Sequence, residues 1–208
     1  MVVVIHGGFW KQPYGLEWGR PLAADLASRG WAAWNLEYRR VGGGGGVPAT
    51  LDDVAAGLDV LAELGLDLST VVTLGHSAGG HLATWVAARG GVSAVVSQAG
   101  VLDLRSAHAD HLGDGAVEAF LGHRPGVEDD GYDPIRQVPL GVPVRCLHAA
   151  DDDTVPISQS RDYVAAAAAV GADATLVEVD GGHFGLVDPA TDAWRRTVGV
   201  LDSLVRSQ

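Results

Sequence analysis

Residues 71–80 read Val-Val-Thr-Leu-Gly-His-Ser-Ala-Gly-Gly, and this stretch decides the fold. The apolar run at 71–74 predicts a buried strand, and residues 81–87 predict a helix. A strand that turns this sharply into a helix lifts Ser77 out of the backbone at the carboxyl edge of a sheet. The amide of Ala78 then points at whatever the hydroxyl attacks. Ser77 is therefore a candidate nucleophile, provided that its chemical partners stand elsewhere in the chain.

Composition and length describe a globular chain. The 208 residues are 47% hydrophobic and 19% charged, which favours one folded domain over residues 1–208. The net charge of −12 disfavours nucleic acid and anionic membrane surfaces as partners. The single cysteine, Cys146, excludes an internal disulfide and offers no cysteine cluster for a metal.

The sequence shows neither a membrane span nor a targeting signal. It lacks a stretch of about 18 uninterrupted apolar residues, the length that a spanning helix needs. Its first residues, Met-Val-Val-Val-Ile-His, have neither the basic region nor the small-residue cleavage site of a signal peptide. We therefore expect a cytoplasmic protein that does not associate with membranes.

Strand and helix signals alternate along the chain, which predicts an α/β fold with a mostly parallel sheet flanked by helices. Thr50 is predicted to cap a helix, with Asp53 three residues on. The long irregular stretch at residues 103–140 predicts a small cover over the sheet edge, with one short helix near residues 115–121. The predicted strands are residues 2–5, 31–36, 71–74, 94–98, 144–149 and 174–179, and the other predicted helices begin near residues 16, 81, 156 and 188.

Serine is a poor nucleophile at neutral pH, so Ser77 needs a base, a group that orients the base, and donors for an oxyanion. His183 follows the last predicted strand, which places it at the same sheet edge as Ser77. The orienting carboxylate is expected after the preceding strand, where Asp151, Asp152 and Asp153 stand together. Chemistry alone leaves the choice among these three aspartates open.

An oxyanion hole needs two backbone amides, and the sequence offers both. Ala78 supplies one, directly after the candidate nucleophile. The glycine-rich turn at residues 6–10, His-Gly-Gly-Phe-Trp, supplies the other from Gly8 or Gly7, because glycine lets backbone N–H groups approach a reacting carbonyl. We expect His6 to fix this loop and not to act as a second base.

Aromatic residues flank both loops and are candidates for a substrate pocket. Phe9 and Trp10 stand beside the oxyanion donors, and Phe184 follows the candidate base. For Trp10, packing against the sheet edge is an equal alternative. Trp18 and the remaining tryptophans fall on periodic faces, and we expect them in the core.

Together these motifs resemble the α/β-hydrolase superfamily over nearly the whole chain. More narrowly, the chain is similar to the kynurenine formamidase and ferulic-acid-esterase-like branch, near the hormone-sensitive lipases. The resemblance is carried by His-Gly-Gly-x-Trp at 6–10, Gly-His-Ser-Ala-Gly-Gly at 75–80, Asp-x-x-Val-Pro at 152–156, Gln-Ser at 159–160 and Gly-His-Phe at 182–184.

The resemblance assigns roles to these residues. It implies no cofactor. The sequence shows no set of ligands with the geometry of a metal site, and we expect a small-molecule ester or amide as substrate. It implies Ser77 as nucleophile, Asp152 as acid, His183 as base, and Gly7 or Gly8 with Ala78 as oxyanion donors.

The chain departs from its relatives in two ways. Relatives carry several dozen residues, including one or two strands, before the His-Gly-Gly turn, so the sheet is expected to be N-terminally short. An exposed edge strand favours pairing with another chain, and we therefore expect a possible homodimer. The large helical cap of lipase relatives is also missing, which favours a short or bulky substrate in an open site over a long-chain lipid.

Three functions compete at this stage. The leading hypothesis is a serine hydrolase that cleaves small carboxylic esters through an acyl-serine intermediate. The alternative within enzymes is an arylformamidase or amidase, similar to kynurenine formamidase. A third reading is a non-catalytic binding module on a hydrolase fold, which loss of Ser77, Asp152 or His183 would have signalled; all three positions are filled.

Overall fold

A single sheet of six parallel strands forms the centre of the computed structural model, which describes residues 1–206. The strands are β1 (Val2–Ile5), β2 (Ala33–Leu36), β3 (Val72–His76), β4 (Ala94–Gln98), β5 (Val144–Ala149) and β6 (Ala174–Val179). Every neighbouring pair of strands is parallel, and the order across the sheet is β2-β1-β3-β4-β5-β6. The predicted mostly parallel sheet is therefore confirmed.

Helices connect the strands and cover both faces of the sheet. The apolar side chains of β1 alternate between the two layers that result, because successive strand residues point to opposite faces. Val3 and Ile5 pack in a core with α2 (Ala49–Asp59) and α3 (Ala78–Ala87), while Val2 and Val4 pack in a core with α1 (Arg20–Ser28) and α8 (Asp192–Arg206). The helices are α1 (Arg20–Ser28), α2 (Ala49–Asp59), α3 (Ala78–Ala87), α4 (Leu104–Ala109), α5 (Ala116–Leu121), α6 (Ser158–Ala169), α7 (Gly182–Gly185) and α8 (Asp192–Arg206).

The predicted helix cap at Thr50 is wrong. Thr50 lies inside α2, one residue after the helix begins, and Pro48 occupies the N-cap position. Its buried hydroxyl accepts a hydrogen bond from Gly46 N and donates one to Arg39 O, so it ties the glycine-rich loop to the helix. Asp53 pairs with the Arg39 side chain and not with the helix terminus.

The segment at residues 103–140 folds into two short helices and two 3-10 turns, and α5 confirms the short helix predicted near residues 115–121. Phe120 of α5 stacks on Trp10 at a ring-centroid distance of 4.6 Å. Trp85 and His81 of α3 donate hydrogen bonds to the carbonyls of Gly131 and Tyr132. The segment is thus docked on α3.

Two further features bear on the expectations from sequence. Strand β2 lies at one edge of the sheet, paired with β1 alone among the strands of residues 1–206. No helix within the same residues combines the length and the apolar character that crossing a bilayer requires.

Candidate active site

Ser77 sits at the junction between β3 and α3 in a strained backbone conformation. Its φ is 56° and its ψ is −121°, a region that costs a non-glycine residue about 1–3 kcal/mol. Hydrogen bonds hold it there: Ser77 N donates to Gln98 O at 2.8 Å, and Ser77 O accepts from Gly80 N at 2.9 Å. The sharp turn predicted from the sequence is present.

Glycines make this turn possible because backbones cross closely on both sides of it. A Cβ on Gly75 would collide with the carbonyl of Gly79, and a Cβ on Gly79 would collide with the backbone of Ile5 and His6. These contacts bring the first turn of α3 directly against the end of β1. The position of Ser77 beside the His-Gly-Gly turn follows from this close approach.

His183 and Asp152 form a buried hydrogen-bonded pair. His183 Nδ1 lies 2.7 Å from Asp152 Oδ2, and both side chains are almost fully shielded from solvent. The other carboxylate oxygen, Oδ1, accepts hydrogen bonds from Thr154 N at 2.9 Å and Val155 N at 2.8 Å. Since a carboxylate only accepts, His183 Nδ1 carries the proton, and Nε2 is left as the acceptor.

The two neighbouring aspartates have different partners. Asp151 is exposed, and its Oδ1 accepts from Gly182 N at 3.2 Å. Asp153 is exposed as well, and it accepts from the hydroxyl of Thr154 at 3.2 Å. Asp152 is therefore the aspartate of the three that contacts the imidazole of His183.

The pKa of Asp152 is held well below its usual range. Burial alone would favour the neutral acid, but hydrogen bonds from His148, His183 and Val155 N to the carboxylate outweigh that effect. Asp152 is consequently ionised at neutral pH, and its negative charge lies next to the imidazole of His183.

His148 is a residue of this site that the sequence analysis missed. It is fully buried near the end of β5, where its Nε2 lies 2.9 Å from Val155 O and 3.3 Å from Asp152 Oδ2. Its Nδ1 lies 2.8 Å from Ser160 Oγ. His148 thus braces the Asp152 loop against α6. A polar residue near the end of a buried strand was the available signal.

His76, the residue before Ser77, fixes the loop that carries the base. Its Nε2 donates to the carbonyl of His183 at 2.9 Å, and the two rings lie 4.4 Å apart. Burial, and to a smaller extent the neighbouring His183, lower the pKa of His76 to about 3. His76 is therefore neutral at neutral pH and acts as a hydrogen-bond donor to the backbone.

Gly7 and Ala78, two of the residues predicted to form the oxyanion hole, lie beside Ser77. A Cβ on Gly7 would meet the side chain of Ser77 and the carbonyl of His76, so the two loops touch. Gly8 has a φ of 107°, which turns the chain at this point. Within residues 1–206, the structure gives no protein acceptor to the amides of Gly7, Gly8 or Ala78.

The ring of His6 holds this turn in place through hydrogen bonds, as the sequence predicts. Its Nδ1 lies 2.8 Å from Gly7 O and its Nε2 lies 2.9 Å from Glu37 Oε1. Its ring stacks on Tyr38 with centroids 4.3 Å apart. Both ring nitrogens are thus occupied by the protein.

A cavity of about 100 Å³ lies beside Ser77 and His183. Its wall includes Ser77, His183 and the two glycines Gly7 and Gly8. The inner wall is mostly apolar and lies on the α1 and α8 side of the sheet. It is formed by Val4, Leu22, Leu74, Gln98 and Val187.

The aromatic residues around the cavity correct two expectations. Phe9 and Phe184 line it, but Trp10 does not: it is fully buried, stacked on Phe120 and perpendicular to the ring of His81. The φ of 57° at Trp10 accompanies its turn into the core. Trp18, expected in the core, lines the cavity and is 46% exposed, beside Phe184 at 57%.

Potential metal ligands cluster away from this site. Within the described part of the chain, one group of three brings ligand atoms within reach of a common ion: His123, Glu128 and Asp129. Two of these side chains are exposed, and none of them lines the cavity with Ser77.

One known protein family matches most of the chain. The model of the BD-FAE family, an α/β-hydrolase esterase family, matches residues 1–166. No protein of curated function matches the sequence.

The solved structures that are similar to the chain include three esterases. A truncated carbohydrate esterase from gut microbiota has a TM-score of 0.79 at 21% identity, over 98% of this chain and 85% of that one. A thermophilic esterase from the Planctomycetes species Thermogutta terrifontis has a TM-score of 0.78 at 24% identity, over 98% and 80%. Esterase B from Lactobacillus rhamnosis has a TM-score of 0.82 at 22% identity, over 99% and 74%. The α/β-hydrolase fold expected from the sequence is confirmed.

Proposed function

Since the chain belongs to the BD-FAE family of α/β-hydrolase esterases, we propose that it hydrolyses small carboxylic esters through an acyl intermediate on Ser77. One observation carries the proposal: His183, paired with Asp152 at 2.7 Å, shares a cavity wall with Ser77. This pairing leaves His183 Nε2 free to accept a proton. The strained backbone of Ser77 presents the hydroxyl at the same sheet edge.

In the first half of the reaction, Ser77 Oγ attacks the ester carbonyl while His183 Nε2 takes its proton. The imidazolium that forms is stabilised by the ionised Asp152. The tetrahedral oxyanion is bound by Ala78 N and by an amide of the His-Gly-Gly turn, Gly8 or Gly7. His183 then gives its proton to the departing alcohol oxygen, and the acyl group remains on Ser77.

In the second half, water takes the place of the alcohol. His183 removes a proton from the water, which attacks the acyl carbonyl, and the same amides bind the second oxyanion. Return of the proton to Ser77 Oγ releases the acid. Because the amides are fixed by the turn and by α3 before substrate binds, they need no reorganisation during either step.

The shape of the cavity favours a small acyl group. The acyl carbon is bonded to Ser77 in the intermediate, so the acyl chain begins beside that residue, inside a cavity of about 100 Å³ with a mostly apolar wall. The alcohol has to leave before water enters, so it must face the mouth. Trp18 and Phe184 stand there, half-exposed, and offer apolar surface to a larger leaving group.

The test is turnover of a panel of p-nitrophenyl esters and aryl formamides by the wild type and by Ser77→Ala. We expect ester hydrolysis that falls by at least about 10⁴-fold in Ser77→Ala, with an unchanged far-UV spectrum. The exposed Ser69→Ala is the matched control and should keep full activity. Undiminished turnover in Ser77→Ala would refute the mechanism, and hydrolysis of formamides alone would assign the amidase alternative.

A further inference from the structure

An exposed aromatic surface adjoins the candidate active site on the side of the base. The ring of Phe184 is nearly perpendicular to that of His183, with the two centroids 5.2 Å apart. Trp18 continues the surface with its ring centroid 6.2 Å from that of Phe184, and Tyr14 follows at 6.1 Å from Trp18. Tyr14 is 38% exposed, and the other two aromatic residues are more exposed still. Molecules in solution can therefore reach this surface.

The aromatic surface belongs to an open groove that continues from the cavity. Trp18, Phe184 and Val187 line both the cavity and the groove, and Pro21 extends the apolar wall of the groove. In the proposed reaction His183 gives its proton to the departing alcohol oxygen, so the alcohol has to lie beside that ring. The rest of the alcohol then extends over Phe184 into the groove.

The charged side chains that line the groove are negative. They are Glu17 and Asp188, both exposed, and within residues 1–206 no lysine or arginine lines the groove or the cavity. Both carboxylates accept hydrogen bonds from backbone amides, and neither forms a salt bridge with a basic side chain of the described residues. Arg40 lies near Glu17 but pairs with Glu37 at 3.6 Å. The net charge of −12 adds to the negative potential around the groove.

Aromatic faces and carboxylates together attract a cation. The face of an indole or a phenyl ring is the negative part of the ring's quadrupole, and it attracts an ammonium group within about 6 Å of the ring centroid. A quaternary ammonium suits an apolar groove best, because it has no N–H groups that would lose hydrogen bonds to water. An anionic alcohol would be repelled by both carboxylates.

We propose that the protein prefers esters whose alcohol carries a quaternary ammonium group two carbons from the ester oxygen, and that Phe184 and Trp18 bind this group with their ring faces. The inference rests on the proposed function, since that reaction puts the departing alcohol beside His183. Two carbons carry the ammonium from the imidazole to the adjacent Phe184 ring, whose centroid is 5.2 Å away. Glu17 and Asp188 add a longer-range attraction that salt screens.

The test compares two acetate esters of nearly the same shape: choline acetate and 3,3-dimethylbutyl acetate, in which carbon replaces the charged nitrogen. Choline is the better leaving group in any site. The informative quantity is therefore the kcat/KM ratio of the two esters for the wild type, divided by the same ratio for a variant. Trp18→Leu and Phe184→Leu keep an apolar side chain and remove the ring face. We expect about two- to fivefold for each, the value of one exposed cation–π contact.

Matched variants separate the rings from the charges. Trp18→Phe keeps an aromatic face, and its ester ratio should stay close to that of the wild type. Glu17→Gln and Asp188→Asn should lower the preference by at most about fivefold each, and less so in 1 M salt. Glu118→Gln, which removes an exposed charge of α5 outside the groove, should leave it unchanged. Wild-type ratios in both Trp18→Leu and Phe184→Leu would overturn the proposal, even if the carboxylate variants lost preference.

A binding measurement distinguishes this proposal from the proposed function. Choline and 3,3-dimethylbutan-1-ol differ by the same charge, and chemical-shift titration gives their affinities whether or not the protein hydrolyses an ester. We expect choline to bind the wild type about tenfold more tightly, and Trp18→Leu to lose part of that difference. Equal affinities for the wild type would overturn the cation site. Preferential binding of choline with no hydrolysis of any ester would overturn the proposed function instead.

Discussion

Replacing Asp152 by asparagine changes one atom of the buried pair and should remove most of the activity. The asparagine oxygen can still accept from Thr154 N and Val155 N, so the loop keeps its backbone hydrogen bonds. The new NH₂ group takes the place of Oδ2, 2.7 Å from His183 Nδ1. An NH₂ group only donates, so His183 Nδ1 must become the acceptor and its proton must move to Nε2.

The magnitude follows from that tautomer. With Nε2 protonated, the imidazole cannot take the proton of Ser77, and kcat should fall by about 10⁴-fold while KM changes little. This loss corresponds to about 5 kcal/mol of transition-state stabilisation. Steady-state hydrolysis of p-nitrophenyl acetate measures it, with circular dichroism to check the fold.

The neighbouring aspartates provide the controls. Asp151→Asn and Asp153→Asn alter exposed side chains with no contact to the imidazole, so kcat should stay within about threefold of the wild type. A loss of less than about tenfold in Asp152→Asn would refute the reasoning. So would an equal loss in Asp151→Asn.

Three further predictions concern the fold and the cavity. Burial raises the pKa of Asp133 from 3.8 to about 6. Between pH 3.8 and about pH 6 the folded protein therefore keeps a proton on Asp133 that the unfolded chain releases, and the free energy of unfolding falls as the pH rises. Asp133→Asn should therefore raise the free energy of unfolding at pH 8 by up to about 3 kcal/mol and leave it unchanged near pH 4. Urea denaturation at both pH values measures the difference, and the absence of any increase at pH 8 would contradict the prediction. Gly79→Ala should destabilise the fold by about 3 kcal/mol or more, because the new Cβ would collide with the backbone at the end of β1. Gly199→Ala, in the middle of α8 with open space around it, is the control and should stabilise the fold slightly. Equal urea midpoints for the two variants would contradict the close approach of the backbones at Gly79. Because the cavity beside Ser77 has a volume of only about 100 Å³, kcat/KM should drop about tenfold or more from the butyrate to the octanoate ester. A rise with chain length would contradict a small acyl site.

The fold was largely predictable from the sequence because local signals and tertiary structure agree. Strand β1 is a run of four apolar residues, as expected for a parallel strand covered on both faces. The turn at Ser77 has a signature of its own, since the crossing of backbones there requires glycine at particular positions. The prediction of a helix cap at Thr50 was wrong because a hydroxyl near the start of a helix can form hydrogen bonds with the preceding loop as well as with the helix terminus.

The loops that carry the candidate site could be predicted from their order along the chain. The direction in which individual side chains point from those loops could not. Trp10 and Trp18 both follow the His-Gly-Gly turn, yet Trp10 lies in the core and Trp18 at the cavity mouth. The chain has positive φ angles at Phe9 and Trp10, which accompany the turn of Trp10 into the core. Such angles at non-glycine residues leave no signal in the sequence.

The supporting residues were missed for a related reason. His148 finds partners on its own loop and on α6, and Gln98 finds them 88 and 99 residues away. From the sequence alone, each is a polar residue near the end of an apolar strand. Only the packing of α6 and α8 on the sheet turns them into parts of a site.

The most direct test of the account is to locate the atom that a fluorophosphonate modifies. This reagent phosphonylates a serine hydroxyl only when a neighbouring base activates it, so it reports the convergence of Ser77 and His183 in solution. Peptide mass spectrometry of the wild type should find the label on Ser77 in one-to-one stoichiometry, and His183→Ala should abolish it. Labelling at another serine, or equal labelling of wild type and His183→Ala, would contradict the account.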